Sequence, residues 1–246
     1  MSLAVHDLSM APALVALAAA SPHGESDEQL LRRLAATAAR IPGVDAAGCS
    51  TVDETGRPEE TAASSDVATD LERVQGELSE GPGLDSRRIR KTLANVEMPH
   101  PHSRLRWPHF APRALQAGYP LVTTLPLCHH GRAIGSLTLY CRGGALRPEQ
   151  LRWSALLADA TAAGLGHRDA LRQADIREQQ LQHALKSRVL IEQAKGVLAE
   201  RLECTVDDAF DLLRHHARRN RLKLTQVAGE IVNSPATAGP FPRQVR

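Results

Sequence analysis

The chain has 246 residues, 42% hydrophobic and 24% charged, which is enough for one sizeable domain and a smaller one, each with its own core. A formal net charge of +2 is too small to assign a polyanionic partner from overall charge, so a basic face has to be sought segment by segment. Cys49, Cys128, Cys141 and Cys204 are scattered without a CxxC pair, which reads as reduced, buried thiols and argues against a zinc or dithiol centre.

Residues 1–24 read as a loosely ordered arm, with a short Ala/Leu helix that packs only in an oligomer. The apolar run at 11–20 is too short to cross a bilayer and lacks the positive start of a secretion signal, so a cytoplasmic protein without a membrane partner is expected. From Ser26 to Arg40 the apolar set Leu30, Leu31, Leu34, Ala35 and Ala38 predicts an amphipathic helix, with Ser26 as N-cap and Pro42-Gly43 as its stop. Residues 44–52 read as a strand ended by the turn Asp53-Glu54-Thr55-Gly56. A second helix over 66–78 should bury Val67, Leu71, Val74 and Leu78. Residues 84–118 are less regular, apart from a short helix near 110–117. The clearest β signal is a hairpin, 119–127 and 133–140, around the turn His129-His130-Gly131-Arg132. Another helix begins at Pro148 and carries Leu151, Leu156 and Leu157. Helices alternating with strands in this order give an α+β class, an antiparallel sheet covered by helices at one face.

Between 168 and 186 the pattern becomes a polar helix with a thin apolar stripe that includes Leu171, Leu181 and Leu185. Such a stripe reads as a helical connector or a short dimeric coiled coil, although Glu178 sits at an inward heptad position.

Beyond it, with Ala194 at the centre of an inward helical face, Leu190, Ile191, Val197, Leu198 and Leu202 fall on one stripe. Arg188 and Lys195 share a shoulder, Gln193 projects from the opposite one, and Glu192 and Gly196 face solvent. Thr205 predicts the cap of a second helix whose inward set is Val206, Ala209, Phe210, Leu213 and Ala217, with Asp208 completing the capping-box spacing. A third helix is expected from about Thr225, burying Val227, Ala228, Ile231 and Val232. At the junction of the last two helices Arg214, His215, His216, Arg218, Arg219, Asn220, Arg221 and Lys223 follow one another without an acidic residue, forming the best phosphate-binding patch in the chain.

Two resemblances rest on these segments. Leu78-Ser79-Glu80-Gly81-Pro82-Gly83, Trp107-Pro108-His109-Phe110-Ala111, Leu125-Pro126-Leu127 and Ile134-Gly135-Ser136-Leu137-Thr138-Leu139-Tyr140 resemble the GAF domains of actinobacterial regulators. That resemblance implies a sheet of about six antiparallel strands packed on helices, used for sensing or dimerisation. Arg188-Val189-Leu190-Ile191-Glu192-Gln193-Ala194-Lys195-Gly196-Val197-Leu198 and Asp207-Asp208-Ala209-Phe210-Asp211-Leu212-Leu213-Arg214, followed by Ala217, Asn220, Lys223-Leu224 and Val227-Ala228, resemble an ANTAR domain. The resemblance implies a three-helix module that binds paired RNA hairpins in leader transcripts and prevents a terminator from forming.

The expected organisation is therefore an arm at 1–24, a GAF-type sensor or dimerisation domain at 25–167, a connector at 168–186, an ANTAR module at 187–234 and a disordered tail at 235–246. Arg188, Gln193, Lys195, Gly196, Arg214, Arg218, Asn220, Arg221 and Lys223 are the candidate RNA-binding residues. Homodimerisation and a small-molecule or protein signal at the GAF domain are expected, and no cofactor is assigned. Related actinobacterial sequences carry Cys after Gly-Pro where this chain has Gly83-Leu84, so thiol sensing there is not expected.

The rival is a DNA-binding helix-turn-helix. It is disfavoured because the connection 218–224 looks long for that motif and the expected recognition helix has no Arg or Lys. No enzyme is expected either. His167 has no following nucleotide lid, and His100, His102 and His109 lack a carboxylate or Cys at metal-ligand spacing, which makes them surface loop residues.

Overall fold

The computed structural model describes residues 3–19, 26–234 and 241. It divides into two compact units, Met1–Arg172 and Gln173–Arg246. The expected disordered tail lies outside the described residues except for Phe241, as do residues 1–2 and 20–24 of the expected arm.

The first unit opens with helix α1 (Leu3–Ala18) and continues through α2 (Asp27–Ala38), β1 (Ala46–Val52), β2 (Pro58–Ala63), α3 (Asp66–Leu78) and α4 (Pro82–Ile89). Then come β3 (Leu93–Glu97), α5 (Pro101–Arg106), α6 (Phe110–Gln116), β4 (Leu121–His129), β5 (Arg132–Cys141) and α7 (Pro148–Leu202). Ser26 caps α2 in a capping box with Gln29, which satisfies two otherwise free backbone donors. The segment read as a loose arm differs from that expectation. Met10 and Leu17 of α1 are buried in the same core as α2, and Arg33 Nη1 donates to the Ala16 carbonyl at 3.1 Å.

The five strands run in the order β2-β1-β5-β4-β3 with antiparallel neighbours throughout, one fewer than the six or so implied by the GAF resemblance. His130 and Gly131 make the two-residue turn between β4 and β5, both with positive φ (48° and 78°), as a hairpin matching strand twist requires. Side chains alternate between two cores. Ala47, Cys49, Leu125, Leu127, Leu137 and Leu139 face the layer of α1, α2 and the start of α7, whereas Ala46, Val122 and Tyr140 face α3 and α6. The helices thus cover both faces of the sheet rather than one, because its central strands are buried on both sides.

Helix α3 keeps its expected limits but turns a different face inward. Val67 and Leu78 remain 43% exposed, while Glu72 and Gln75 are buried beside Leu71 and Val74. Glu72 accepts from the Tyr140 hydroxyl at 2.8 Å and from Gln75 Nε2 at 3.3 Å. Gln75 Oε1 in turn accepts the Gly83 amide at 2.8 Å, and a side chain at Gly48 or Gly81 would overlap Glu72 or Gln75. Close by, Arg87 Nη1 donates to Ser50 Oγ at 3.1 Å and Ser136 Oγ at 2.9 Å. A band of hydrogen-bonded polar groups therefore lies inside the second core.

On the other face, α7 is held by its first turns: Leu157, Ala162 and Leu165 are buried. Arg168 pairs with Asp27 at 3.1 Å and Arg172 with the same carboxylate at 2.8 Å. Leu156, expected inside, is instead 42% exposed. Gly166 lies directly under the His129 imidazole, with no room for a β-carbon. All four cysteines are free thiols; Cys49 and Cys141 are buried, whereas Cys128 and Cys204 are only partly so.

Burial of its carboxylate pushes Glu72 up to about 7 against the pull of the Tyr140 hydroxyl, from an ordinary value of 4.5. Between those limits the folded chain retains a proton that the unfolded chain has released. This stabilising contribution is complete below about pH 4.5 and declines by up to ~3 kcal/mol as pH rises to about 7. Glu72→Gln should therefore be more stable than the parent at pH 8, with the difference shrinking toward pH 5.5 in urea titrations; a pH-independent difference would contradict the buried carboxylate. Gly166→Ala should destabilise the unit by ~1–3 kcal/mol through overlap with His129, and a simultaneous His129→Ala should recover most of that loss in thermal unfolding.

Candidate nucleic-acid interface

The second unit is built from the remainder of α7, α8 (Val206–Arg219) and α9 (Leu224–Asn233). Thr205 caps α8: its hydroxyl oxygen accepts the Asp208 amide at 3.2 Å and its hydroxyl donates to Asp208 Oδ2 at 2.6 Å. Ala194 and Leu198 from α7, Ala209, Leu213 and Ala217 from α8, and Val227, Ala228 and Ile231 from α9 form one buried core. Leu190, Ile191, Val197, Leu202 and Val232 line its margin. Small residues at four of these positions let short helices pack closely, which is how little surface can still enclose a core.

Two members of the expected inward set of α8 are not in that core. Val206 is 47% exposed because it occupies the first helical position, beyond the end of the packed stripe. Phe210 is only half-buried, since a helix centred inward on Ala209, Leu213 and Ala217 puts position 210 about 60° from that centre, at the edge of the buried face. There it meets two cations: Lys195 Nζ lies 5.2 Å and the Arg214 guanidinium carbon 5.6 Å from the ring centroid. Within this range cations are drawn to the negative face of an aromatic ring.

Lys195, on the shoulder of α7 that it shares with Arg188, is largely enclosed. Its side chain is 14% exposed and its ammonium pairs with Glu192 at 3.0 Å. Arg188, Gln193 and Gly196 are exposed, and a β-carbon added at Gly196 would touch nothing within 4 Å. Arg214, Arg218, Asn220, Arg221 and Lys223 are exposed as well. Asn220 Nδ2 donates to the His216 carbonyl at 2.9 Å, so that amide finishes α8. Lys223 is the N-cap residue of α9, its carbonyl accepting from the amides of Gln226 and Val227.

The structure thus gathers Lys195 and Arg214 at one aromatic ring. It places Arg214, Arg218 and Arg221 around a surface cleft of about 490 Å³ floored by Ala217, Leu222 and Leu224. Arg214 has a long 3.9 Å ion pair with Asp211, whereas Arg218 and Arg221 have no acidic partner among the described residues. Gln193 makes no hydrogen bond or ion pair with the other candidates among the described residues.

Two features escaped the sequence reading. Arg201, 8% exposed, donates through Nη2 to the carbonyls of Ile231 at 3.2 Å and Ser234 at 2.6 Å, satisfying groups at the end of α9. Its only signal was a cation on an otherwise apolar helical face. The connection between α8 and α9 is also shorter than expected, four residues at 220–223, which removes loop length as an objection to a helix-turn-helix. The absence of Arg and Lys from α9 still stands.

His100, His102 and His109 are exposed. His100 Nδ1 accepts the His102 amide at 3.1 Å as the cap of α5, and His109 pairs with Glu80 at 2.9 Å. Among the described residues no group of three or more His, Cys, Asp or Glu side chains is placed to hold a metal ion, and no helix is long and apolar enough to cross a membrane.

Residues 179–232 match the family model of the ANTAR domain, so the second unit carries such a domain. No curated protein matches the chain. Among solved structures it is similar to the bacteriophytochrome RpBphP3 from the photosynthetic bacterium R. palustris, at a TM-score of 0.50 and 14% identity over 77% of this chain and 42% of that one. It is also similar to the GAF domain of a phosphoenolpyruvate-protein phosphotransferase from Coxiella burnetii (TM-score 0.49, 16% identity, 68% of this chain and 98% of that one). The corresponding Acinetobacter GAF domain gives a TM-score of 0.48 at 12% identity, over 66% of this chain and 95% of that one. At such identities the likeness is one of fold.

The open space at Gly196 yields a prediction that is independent of any ligand. Gly196→Ala should stabilise the second unit by ~0.5–1 kcal/mol, because alanine restricts the unfolded chain and meets no neighbour. A lower midpoint in thermal unfolding would mean that the site is more crowded than the structure has it.

Proposed function

We propose that this chain is a signal-responsive, RNA-binding transcription antiterminator of the kind found in actinobacteria, acting in the cytoplasm on paired hairpins of leader transcripts. The observation that carries the reading is the ANTAR match at 179–232, which spans the segment where Lys195, Arg214, Arg218 and Arg221 present cationic groups on one small helical unit. Phosphate neutralisation by such groups supplies salt-sensitive affinity, and the hairpin shape supplies the selection. Arg188, Gln193, Gly196, Asn220 and Lys223 are proposed as further contacts; Gly196 would let a ribose-phosphate backbone come close to α7.

The first unit would act as a GAF-type sensor or dimerisation domain for a small-molecule or protein signal, and the chain as a homodimer without catalytic activity. Support for pairing comes from α7, where Leu181, Leu185 and Val189 stand 72%, 64% and 49% exposed at intervals of four. They lie within about 80° of one another on the helix, a stripe that a second copy could cover. Two modules would then hold two hairpins at once and exclude the competing terminator.

One observation favours a second reading. The four-residue connection at 220–223 gives α8 and α9 the outline of a DNA-binding helix-turn-helix. Yet α9 would enter the major groove with Thr225, Gln226, Glu230 and Asn233 as its polar groups and no cation.

The test is crosslinking of the full chain to RNA in cells, followed by binding measurements with the recovered hairpins and with duplex DNA over a salt series. Hairpins should bind more tightly than duplex. Lys195→Ala should weaken hairpin binding severalfold and reduce the log–log salt slope by about 1, with helix content unchanged. Tighter binding to duplex DNA would reverse the assignment, and an unaltered slope would remove Lys195 from the contact surface.

A further inference from the structure

The cleft at the α8–α9 junction combines two chemistries that a phosphate-binding surface alone does not require. Its rim carries the guanidinium groups of Arg214, Arg218 and Arg221, and its floor is the apolar surface of Ala217, Leu222 and Leu224. At about 490 Å³ it falls within the range of small-molecule sites. A bare phosphate needs donors and gains nothing from leucine side chains, whereas an apolar peptide segment leaves three guanidinium groups unmatched. A nucleotide answers both. Its base covers the leucines, and the phosphates on either side meet a rim of which two cations have no acidic partner among the described residues.

We propose that this cleft receives a single unstacked nucleotide, carried by the loop of the bound RNA, with the base on Leu222 and Leu224 and its flanking phosphates on Arg214, Arg218 and Arg221. This rests on the RNA-binding reading above and adds to it the part of the RNA that is read. A paired base is stacked and cannot enter; a loop base can turn outward. Unlike most single-strand readers, the site has no ring in its floor, so guanidinium planes and leucines must replace aromatic stacking.

The backbone provides an unusually clean test. Arg221 follows the C-cap of α8 with φ 55°, and the amides of Leu222 and Arg221 donate to the carbonyls of Ala217 and Arg218 at 2.9 and 3.2 Å. That is a Schellman closure with arginine where glycine is ordinarily preferred. Arg221→Gly therefore removes a rim cation while relieving the backbone, so a loss of binding cannot be ascribed to unfolding.

The probe is a pair of short RNA hairpins selected from randomised loops by binding to the full-length chain. Each loop nucleotide is replaced in turn by an abasic residue, and affinity is measured for the parent and for Arg221→Gly. One loop position should lose about tenfold on removal of its base. Arg221→Gly should lose severalfold with no fall in melting temperature, and the two losses together should be less than their product at that position alone. A flat abasic scan on hairpins that still bind, or independent losses at every position, overturns the cleft assignment and leaves the RNA reading standing. Failure to select any hairpin overturns both. Saturable binding of a free nucleoside monophosphate that depends on Arg221 and persists with hairpin bound would assign the cleft to a free nucleotide and overturn the loop-borne one.

Discussion

Close contact between helices at alanine positions is the constraint on which the second unit depends. Ala194, Ala209, Ala217 and Ala228 are buried in a core whose larger members are Leu198, Leu213, Val227 and Ile231. With two short helices packed on the end of a long one and this little apolar volume, stability comes from proximity rather than bulk. Proximity has a further effect: residues one position off the inward face of each helix become neighbours across helices. Lys195, one step from Ala194, and Phe210, one step from Ala209, come within 5.2 Å in this way. The cationic surface is thus a by-product of the same packing that closes the core.

The first unit solves a different problem. Its sheet is buried on both faces, one against an aliphatic layer and the other against a layer that admits Glu72, Gln75, Arg87, Ser50 and Ser136. A buried carboxylate is costly even with the Arg87 guanidinium nearby, and Glu72 meets the cost by keeping its proton toward neutral pH and by accepting from Tyr140 and Gln75. Glycines at 48 and 81 leave the space those two side chains occupy. Such a band makes this core more specific than an aliphatic one of the same size, because each member fixes the orientation of the next.

The strands that could be read in advance were β1, β4 and β5, and the two that escaped, β2 and β3, are the edges of the sheet. Inner strands bury both faces and are composed mostly of apolar and small residues. The edge strand Pro-Glu-Glu-Thr-Ala-Ala buries Ala62 alone, so its hydropathy resembles a loop. Helix α3 had the right limits and the wrong face for a related reason: apolar periodicity locates a buried stripe only when nothing polar is buried with it. Around the interface, the caps and the inward stripe of each helix were legible from spacing. The half-burial of Phe210, the approach of Lys195 to its ring and the anchoring role of Arg201 were not, because each depends on a neighbour from another helix.

Sequence by itself determined the inner strands β1, β4 and β5, the hairpin turn at His130-Gly131, the caps at Ser26 and Thr205, and the concentration of cations after Arg214, all of which are encoded within a few residues of one another. The ANTAR segment was recognisable for the same reason, as an ordered local motif. Tertiary structure alone decided that Arg214, Arg218 and Arg221 surround an apolar floor formed with Leu222 and Leu224, and that Phe210 lies among cations instead of in the core. Those outcomes turn on the angle at which α8 leaves for α9 and on how closely α7 approaches α8, quantities set by the packing of all three helices together and by no single stretch of chain.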